Sequence, residues 1–195
     1  MSTAQLSRRR PEATRAQIVE AAIETAQATG AANFTLDAVV SRLAFSKGAL
    51  LHHFPTKTAL LEAVIDEMGR AFTEAIKAEA ALDPQPYCRE ARAYLKVTVG
   101  DTSGAGQASV CKVVLVACLL EPNLALRWRG WVDQITRTDP TDPAGADDAL
   151  ILRLVADGLW LSDVLGVPQI SLEQRQALVS ILAPAPAPAG GPDLR

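Results

Sequence analysis

In SKGALLHHFPTK, residues 46–57, a hydroxyl residue is twice followed at once by a lysine: Ser46-Lys47 and Thr56-Lys57. A serine or threonine ahead of a helix accepts from a first-turn backbone N–H, and the next residue then lies where the helix dipole disfavours positive charge. A lysine there makes chemical sense if an anion comes to rest at the helix start. Unpaired N–H groups, dipole and ammonium then address the same negative charge. Thr35-Leu36-Asp37 is an internal contrast, because that helix start carries an acid. The two lysine-bearing starts flank one short helix, a spacing that suits phosphates along a DNA strand. The competing account is that Ser46-Lys47-Gly48 is an exposed loop turn.

The elements that must hold these residues are helical. Residues 12–29 place Ile18, Ala22 and Ala26 beside Val19 and Ile23 at helical spacing, with Gly30 as a stop. In TLDAVVSRL, Leu36, Val39, Val40 and Leu43 recur at i, i+3, i+4 and i+7 behind the cap Thr35, which predicts a second helix over 36–43. After Ala44-Phe45 a short helix runs over 47–53, carries Leu50 and Phe54 on one face, and ends at Pro55. The second and third helices form a helix-turn-helix, whose second helix is narrow enough for the major groove. Lys47, Gly48 and Ala49 keep side-chain bulk low at its start, so that backbone can approach base edges.

Beyond Lys57, Leu61, Ile65, Met68, Phe72 and Ile76 define a long amphipathic helix to about Leu82. Helices are expected over about 86–99, through ASVCKVVLVACLL after a GDTSGAG loop, and from Pro122 with Leu124, Trp128, Trp131 and Ile135 on one stripe. DPTDPAG reads as a turn-rich linker. The helix 147–166 is apolar on more than one side, with Ile151, Val155, Gly158 and Ser162 on one and Leu150, Leu154 and Leu161 on another. Ser171 and Gln174 start a last helix through Leu182 with a capping box. The fold class is all-α, about nine helices. The expected divisions are a flexible basic arm (1–10), a helix-turn-helix domain (11–56), a ligand-binding and dimerisation domain (57–183) and a disordered Pro/Ala/Gly tail (184–195).

With 49% hydrophobic and 21% charged residues the chain can bury a substantial core. The net charge of −3 conceals a division: residues 1–57 hold seven Lys/Arg against four Asp/Glu, residues 58–195 twelve against eighteen. A small polyanion-binding head on an acidic body shows that asymmetry. Three cysteines, Cys88, Cys111 and Cys118, do not make a disulfide framework, and a reducing cytoplasm fits them. No apolar run approaches the roughly 20 residues that span a bilayer, and the N-terminal arginines have no hydrophobic signal region behind them. A cytoplasmic protein without a membrane partner is therefore expected.

Residues 14–68, from TRAQIVEAAIETAQATG through SKGALLHHFPTK to DEM, resemble the DNA-binding domain of the tetracycline-repressor-like (TetR-type) transcriptional regulators. The SKGAL-x-HHF-x-x-K pattern at this distance from a T-x-x-x-V helix carries the likeness. ADGLWLSDVLGV, residues 156–167, resembles the penultimate helix of some members. The resemblance implies a ligand-responsive homodimeric repressor on a palindromic double-stranded operator, released by a small-molecule effector. It implies a phosphate contact at Thr35 beside the cap Ser46, base-edge positions at Lys47, Gly48 and Ala49, and positions at or near the DNA backbone at His52, His53 and Lys57. Two residues depart from the pattern. Ala44 stands where glycine is usual, and Leu51, within the DNA-facing set, stands where a tyrosine would donate to phosphate. The alternative from another class is a helical interaction or ligand-binding module that kept the head and lost operator binding.

Enzyme chemistry finds no support, since no nucleophile–base pair can be read. His52 and His53 diverge by about 100° on a helix and are poorly placed for one metal ion. No metal or cofactor is therefore expected. Cys88 beside Arg89 is a setting that can acidify a thiol, although an ordinary semi-buried cysteine is the simpler account. Tyr87, Tyr94, Trp128, Trp131 and Trp160 are candidates to line a ligand cavity, with plain core as the competing role. For the dimer, Ile151, Val155, Gly158 and Ser162 with Leu178 and Leu182 would form a four-helix interface across a two-fold axis.

Overall fold

The computed structural model describes residues 3–44, 46–100, 104–140, 142–167 and 170–183, with backbone alone for 3–14 and 104–108. The expected tail lies outside the described residues, as does the turn residue Phe45. Among the described residues the chain is nine α-helices: α1 (Thr3–Asn33), α2 (Leu36–Val40), α3 (Lys47–His53), α4 (Lys57–Ala81), α5 (Arg89–Gly100), α6 (Gly104–Leu120), α7 (Pro122–Thr136), α8 (Pro143–Leu165) and α9 (Leu172–Leu182).

Local chemistry explains most boundaries. Gly30 interrupts α1 with φ 66° and ψ −174°, a left-handed φ that glycine adopts without strain. The helix takes in residues 3–10, read from the sequence as an arm. α2 is shorter than the expected 36–43, because Arg42 and Leu43 donate to the carbonyls three residues back rather than four and tighten the chain into a turn. α8 starts four residues earlier than expected: Asp142 caps it by accepting from Gly145 N at 2.9 Å, with Pro143 in the first position. Its other end closes on Gly166 at φ 73°. The capping box of Ser171 and Gln174 on α9 is present in both directions.

The chain divides into two compact units. One combines Met1–Ala71 with Ser103–Asp133. Its core joins Ile18, Ala22 and Ala26 of α1, Val39 of α2, Leu50 of α3, Leu60, Val64 and Ile65 of α4, and Val110, Val113 and Val114 of α6. Phe34 and Phe54, in the connections flanking α2 and α3, are almost fully buried in it. The other combines Phe72–Thr102 with Gln134–Arg195 and packs α5 against α8 and α9. There Ala91, Leu95 and Val99 of α5 meet Ala149, Leu152, Ala156 and Leu159 of α8. No single described helix is long and apolar enough to cross a membrane, and α6 bends by 119° into α7.

Candidate nucleic-acid interface

The three helix starts of the head share one construction. Thr35 Oγ1 accepts from Ala38 N at 3.1 Å, Ser46 Oγ from Ala49 N at 3.3 Å, and Thr56 Oγ1 from Ala59 N at 3.0 Å. Each hydroxyl satisfies one first-turn N–H that the helix itself cannot. Lys47 and Lys57 are each the first residue of their helix. Their ammonium groups do not stand free. Lys47 Nζ lies 2.6 Å from Asp37 Oδ1 in the first turn of α2. Lys57 Nζ donates to the Phe34 carbonyl at 2.7 Å and sits 5.3 Å from the centroid of that ring. Both lysines thus tie their helix starts to the start of α2.

The recognition helix is fixed from below and open above. Leu50 and the following Phe54 are buried, and Arg15 of α1 stacks its guanidinium 4.9 Å from the centroid of Phe54. The opposite face exposes Ser46, Lys47, Gly48, Leu51 and His52, with Ala49 and His53 half-buried at its edges. A Cβ added at Gly48 would meet only Ser46 Oγ, at 3.7 Å, so the low bulk there is not imposed by the fold. Thr35 and Lys57 are exposed as well. All nine residues singled out for DNA contact therefore lie in the first unit, and seven of them are exposed. Ala44 needs no left-handed backbone: among the described residues Cys88, at φ 51°, is the one non-glycine with positive φ. The histidine rings stand edge to face with centroids 5.5 Å apart. Among the described residues no group of three His, Cys, Asp or Glu side chains is placed to hold a metal ion.

The aromatic candidates divide between the units. Trp128 and Trp131 pack on the first core, and Trp131 Nε1 donates to Asp66 Oδ1 at 3.2 Å, beside the Arg127–Asp66 ion pair at 2.5 Å. In the second unit Tyr94 is buried and donates to Asp157 Oδ1 at 2.6 Å, Tyr87 is exposed and donates to Asp148 at 3.1 Å, and Trp160 is half-buried. The Cys88 thiol is buried and donates to the Gly145 carbonyl at 3.5 Å, and burial raises its pKa. The acidified thiol considered above does not form.

On α8, Val155 packs partly against its own core, as do Leu178 and Leu182 of α9. Ile151 and Gly158 are exposed, and Ser162 Oγ donates to the Gly158 carbonyl at 2.8 Å. The exposed large side chains are instead Leu150, Ile151, Leu154, Leu161 and Leu165, with Leu172 and Ile181 of α9. Two interactions had no sequence signal of their own, the Lys47–Asp37 pair and the Lys57–Phe34 bond. Both depend on how α2 crosses its neighbours.

Two family models match the chain: bacterial regulatory proteins of the tetR family over residues 18–64, and the tetracyclin repressor-like C-terminal domain over residues 89–184. The HTH-type transcriptional regulator BetI of Stenotrophomonas maltophilia (strain R551-3) is 27% identical over 176 residues, 84% of this chain and 88% of that protein. Among solved structures, the multidrug binding protein EbrR complexed with ethidium has a TM-score of 0.65 at 24% identity, covering 87% of this chain and 97% of that one. A transcriptional regulator from Rhodococcus sp. Rha1 has a TM-score of 0.64 at 20% identity, covering 86% and 92%. At those identities the structures speak for the fold. The head and body models match the two parts of the chain in the order that the helices run, and the chain belongs to the tetracycline-repressor-like family of transcriptional regulators, DNA-binding proteins rather than enzymes.

Proposed function

We propose that the chain is a homodimeric repressor that holds a palindromic operator and releases it when a small-molecule effector binds the second unit. The observation that carries most weight is the outward face of α3, with Lys47, Gly48, Leu51 and His52 exposed over an anchored Leu50. On this reading Lys47, Gly48 and Ala49 approach base edges, while Thr35, Ser46, His52, His53 and Lys57 contact or neighbour the backbone. Two such heads reach successive major grooves when their recognition helices stand about 34–36 Å apart. The exposed leucine stripe of α8, with Leu172 and Ile181 of α9, supports a four-helix dimer interface. EbrR, named for multidrug binding and complexed with ethidium, supports a small-molecule effector. Effector binding shifts the population toward a dimer with wrongly spaced heads, and α4, which contributes residues to both units, carries the change.

Fluorescence anisotropy with DNA from around the protein's own promoter, at several salt concentrations, tests this. Affinity should fall steeply as salt rises. A second reading, a ligand-binding module with lost operator binding, is favoured by the exposed apolar Leu51 in the recognition helix. It prevails if no fragment binds at low salt.

A further inference from the structure

We propose that Arg153 is the polar anchor of a ligand site in the second unit, and that its ligand is an uncharged aromatic compound bound through a carbonyl or hydroxyl oxygen. The inference rests on the ligand-responsive reading above and gives that ligand a chemistry.

Arg153 lies on the inward face of α8 with only 8% of its side chain exposed. Its Nε donates to Asp139 Oδ2 at 3.0 Å and its Nη2 to Asp139 Oδ1, so one edge of the guanidinium is fully used. The remaining nitrogen, Nη1, is buried and has no hydrogen-bond partner, alone in this among the side-chain nitrogens and oxygens of the described residues. A buried donor is ordinarily paired, and one left over marks a place where an acceptor belongs. The Tyr94 ring lies 5.2 Å from Arg153 Cζ, which offers the cation a π-face and no lone pair.

The surroundings select among acceptors. Asp139 cancels the charge of Arg153. One turn further along α8, Asp157 holds the Tyr94 hydroxyl at 2.6 Å; that phenol brings no charge, and burial, then Asp157, raises its pKa further. Arg153, Asp139 and Asp157 together carry one net negative charge. A carboxylate ligand would add a third acid to that group, and a simple cation would bring no acceptor to Nη1. An uncharged oxygen meets both conditions. The Tyr94 ring beside Arg153 is itself met edge-on by Phe72, with ring centroids 5.0 Å apart, and this aromatic neighbourhood favours a flat, apolar ligand body.

The test titrates the full-length protein with three probes on one ring: acetophenone, benzoate and benzylamine. Calorimetry and thermal melting are read on wild type and on Arg153→Lys, which keeps a cation for Asp139 and removes Nη1. Acetophenone should bind saturably, more tightly than the two ions, and weaken about tenfold or more in the variant. If Arg153→Lys does not fold, the double variant Arg153→Met, Asp139→Leu replaces the pair with apolar volume and serves the same comparison. Acetophenone binding that is absent, or equal in wild type and variant, or weaker than that of benzoate, overturns the proposal and leaves a trapped water as the partner of Nη1. The regulator reading is judged separately. A wild type that binds promoter DNA and is released by some other compound equally well in Arg153→Lys refutes only the anchor, whereas acetophenone binding through Arg153 in a protein that binds no DNA refutes only the regulator.

Discussion

The first residue of the recognition helix is held by the first turn of the helix before it: Lys47 Nζ lies 2.6 Å from Asp37 Oδ1, with both side chains more than half exposed. An exposed pair of this kind stabilises the free protein by less than about 1 kcal/mol. On the proposed reading its larger effect would be on DNA. Asp37 occupies the lysine that would meet the nucleic acid and sets a carboxylate beside Thr35, where a phosphate is expected. Asp37→Asn should therefore tighten binding to random-sequence duplex about three- to tenfold at low salt. The gain should be smaller in a Lys47→Ala background, where only the relief of repulsion beside Thr35 remains. Anisotropy on the four proteins of this double-mutant cycle checks it, and an equal gain with and without Lys47 would assign the effect to simple repulsion by Asp37.

Lys57 has two roles that one substitution separates. In the free protein it donates to the Phe34 carbonyl, and on DNA it is expected near phosphate. Lys57→Ala should lower stability by about 1 kcal/mol through the lost hydrogen bond and reduce the salt slope of DNA binding by about one unit. Urea denaturation reads the first and anisotropy the second. A lost slope without lost stability would mean that the bond to Phe34 contributes nothing measurable.

What could be read in the sequence was what is locally determined. The helix from Lys47 to His53 and the start of α4 follow from Ser46, Pro55 and Thr56, residues that act within one turn of themselves. The stripe of α4 through Leu61, Ile65 and Ile76 is buried as its spacing requires. The start of α8 was equally local, an Asp-Pro cap signal at 142–143, but it was hidden in a stretch whose prolines suggested a linker. The inward face of α8 could not be read in this way. With apolar residues all round, periodicity does not rank Val155 against Leu154, and the buried Arg153 points the wrong way for any charge-based rule. The partners of Lys47 and Lys57, and the division of Trp128 and Trp131 from Tyr94, are set by packing between distant segments.

The exposed stripe on α8 predicts where the proposed dimer would close. Leu154 is 60% exposed, whereas its neighbour Val155 packs on its own core. Leu154→Arg should convert a dimer to a monomer in sedimentation while the far-ultraviolet spectrum stays unchanged. Val155→Arg should instead destabilise the fold by about 2–3 kcal/mol, because it buries a charge. A Leu154→Arg protein of unchanged mass would remove α8 from the interface.

Two glycines predict opposite outcomes for the same substitution. A Cβ at Gly69 of α4 would lie 2.4 Å from the ring of Trp131, so Gly69→Ala must displace a packed indole and should cost about 1–3 kcal/mol. Gly130, exposed within α7, has nothing within 4 Å of the added atom. Gly130→Ala should stabilise the helix by up to about 1 kcal/mol. Thermal melts of the two variants, read side by side, check both signs.

The connection from α4 to α5 predicts how stability depends on pH. Asp83 and Arg92 are each 7% exposed and pair at 2.9 Å, and Arg92 also donates to the carbonyls of Gln85 and Tyr87. The hydrogen bond from Arg92 outweighs burial and holds the Asp83 carboxyl below its ordinary pKa. Burial alone would raise that of Asp66, but hydrogen bonds from Arg127 and Trp131 reverse it. Because both folded-state values lie below the unfolded one, these acids stabilise the protein fully above about pH 4, and the stabilisation is lost as pH falls through the folded values. Asp83→Asn leaves the Arg92 charge buried with a weaker acceptor and should cost about 3 kcal/mol at pH 7, with the carbonyl bonds keeping the loss at the low end. The gap between variant and wild type should narrow as pH drops below about 4 in urea denaturation. Parallel acid losses in the two proteins would show that Asp83 does not carry the pH dependence.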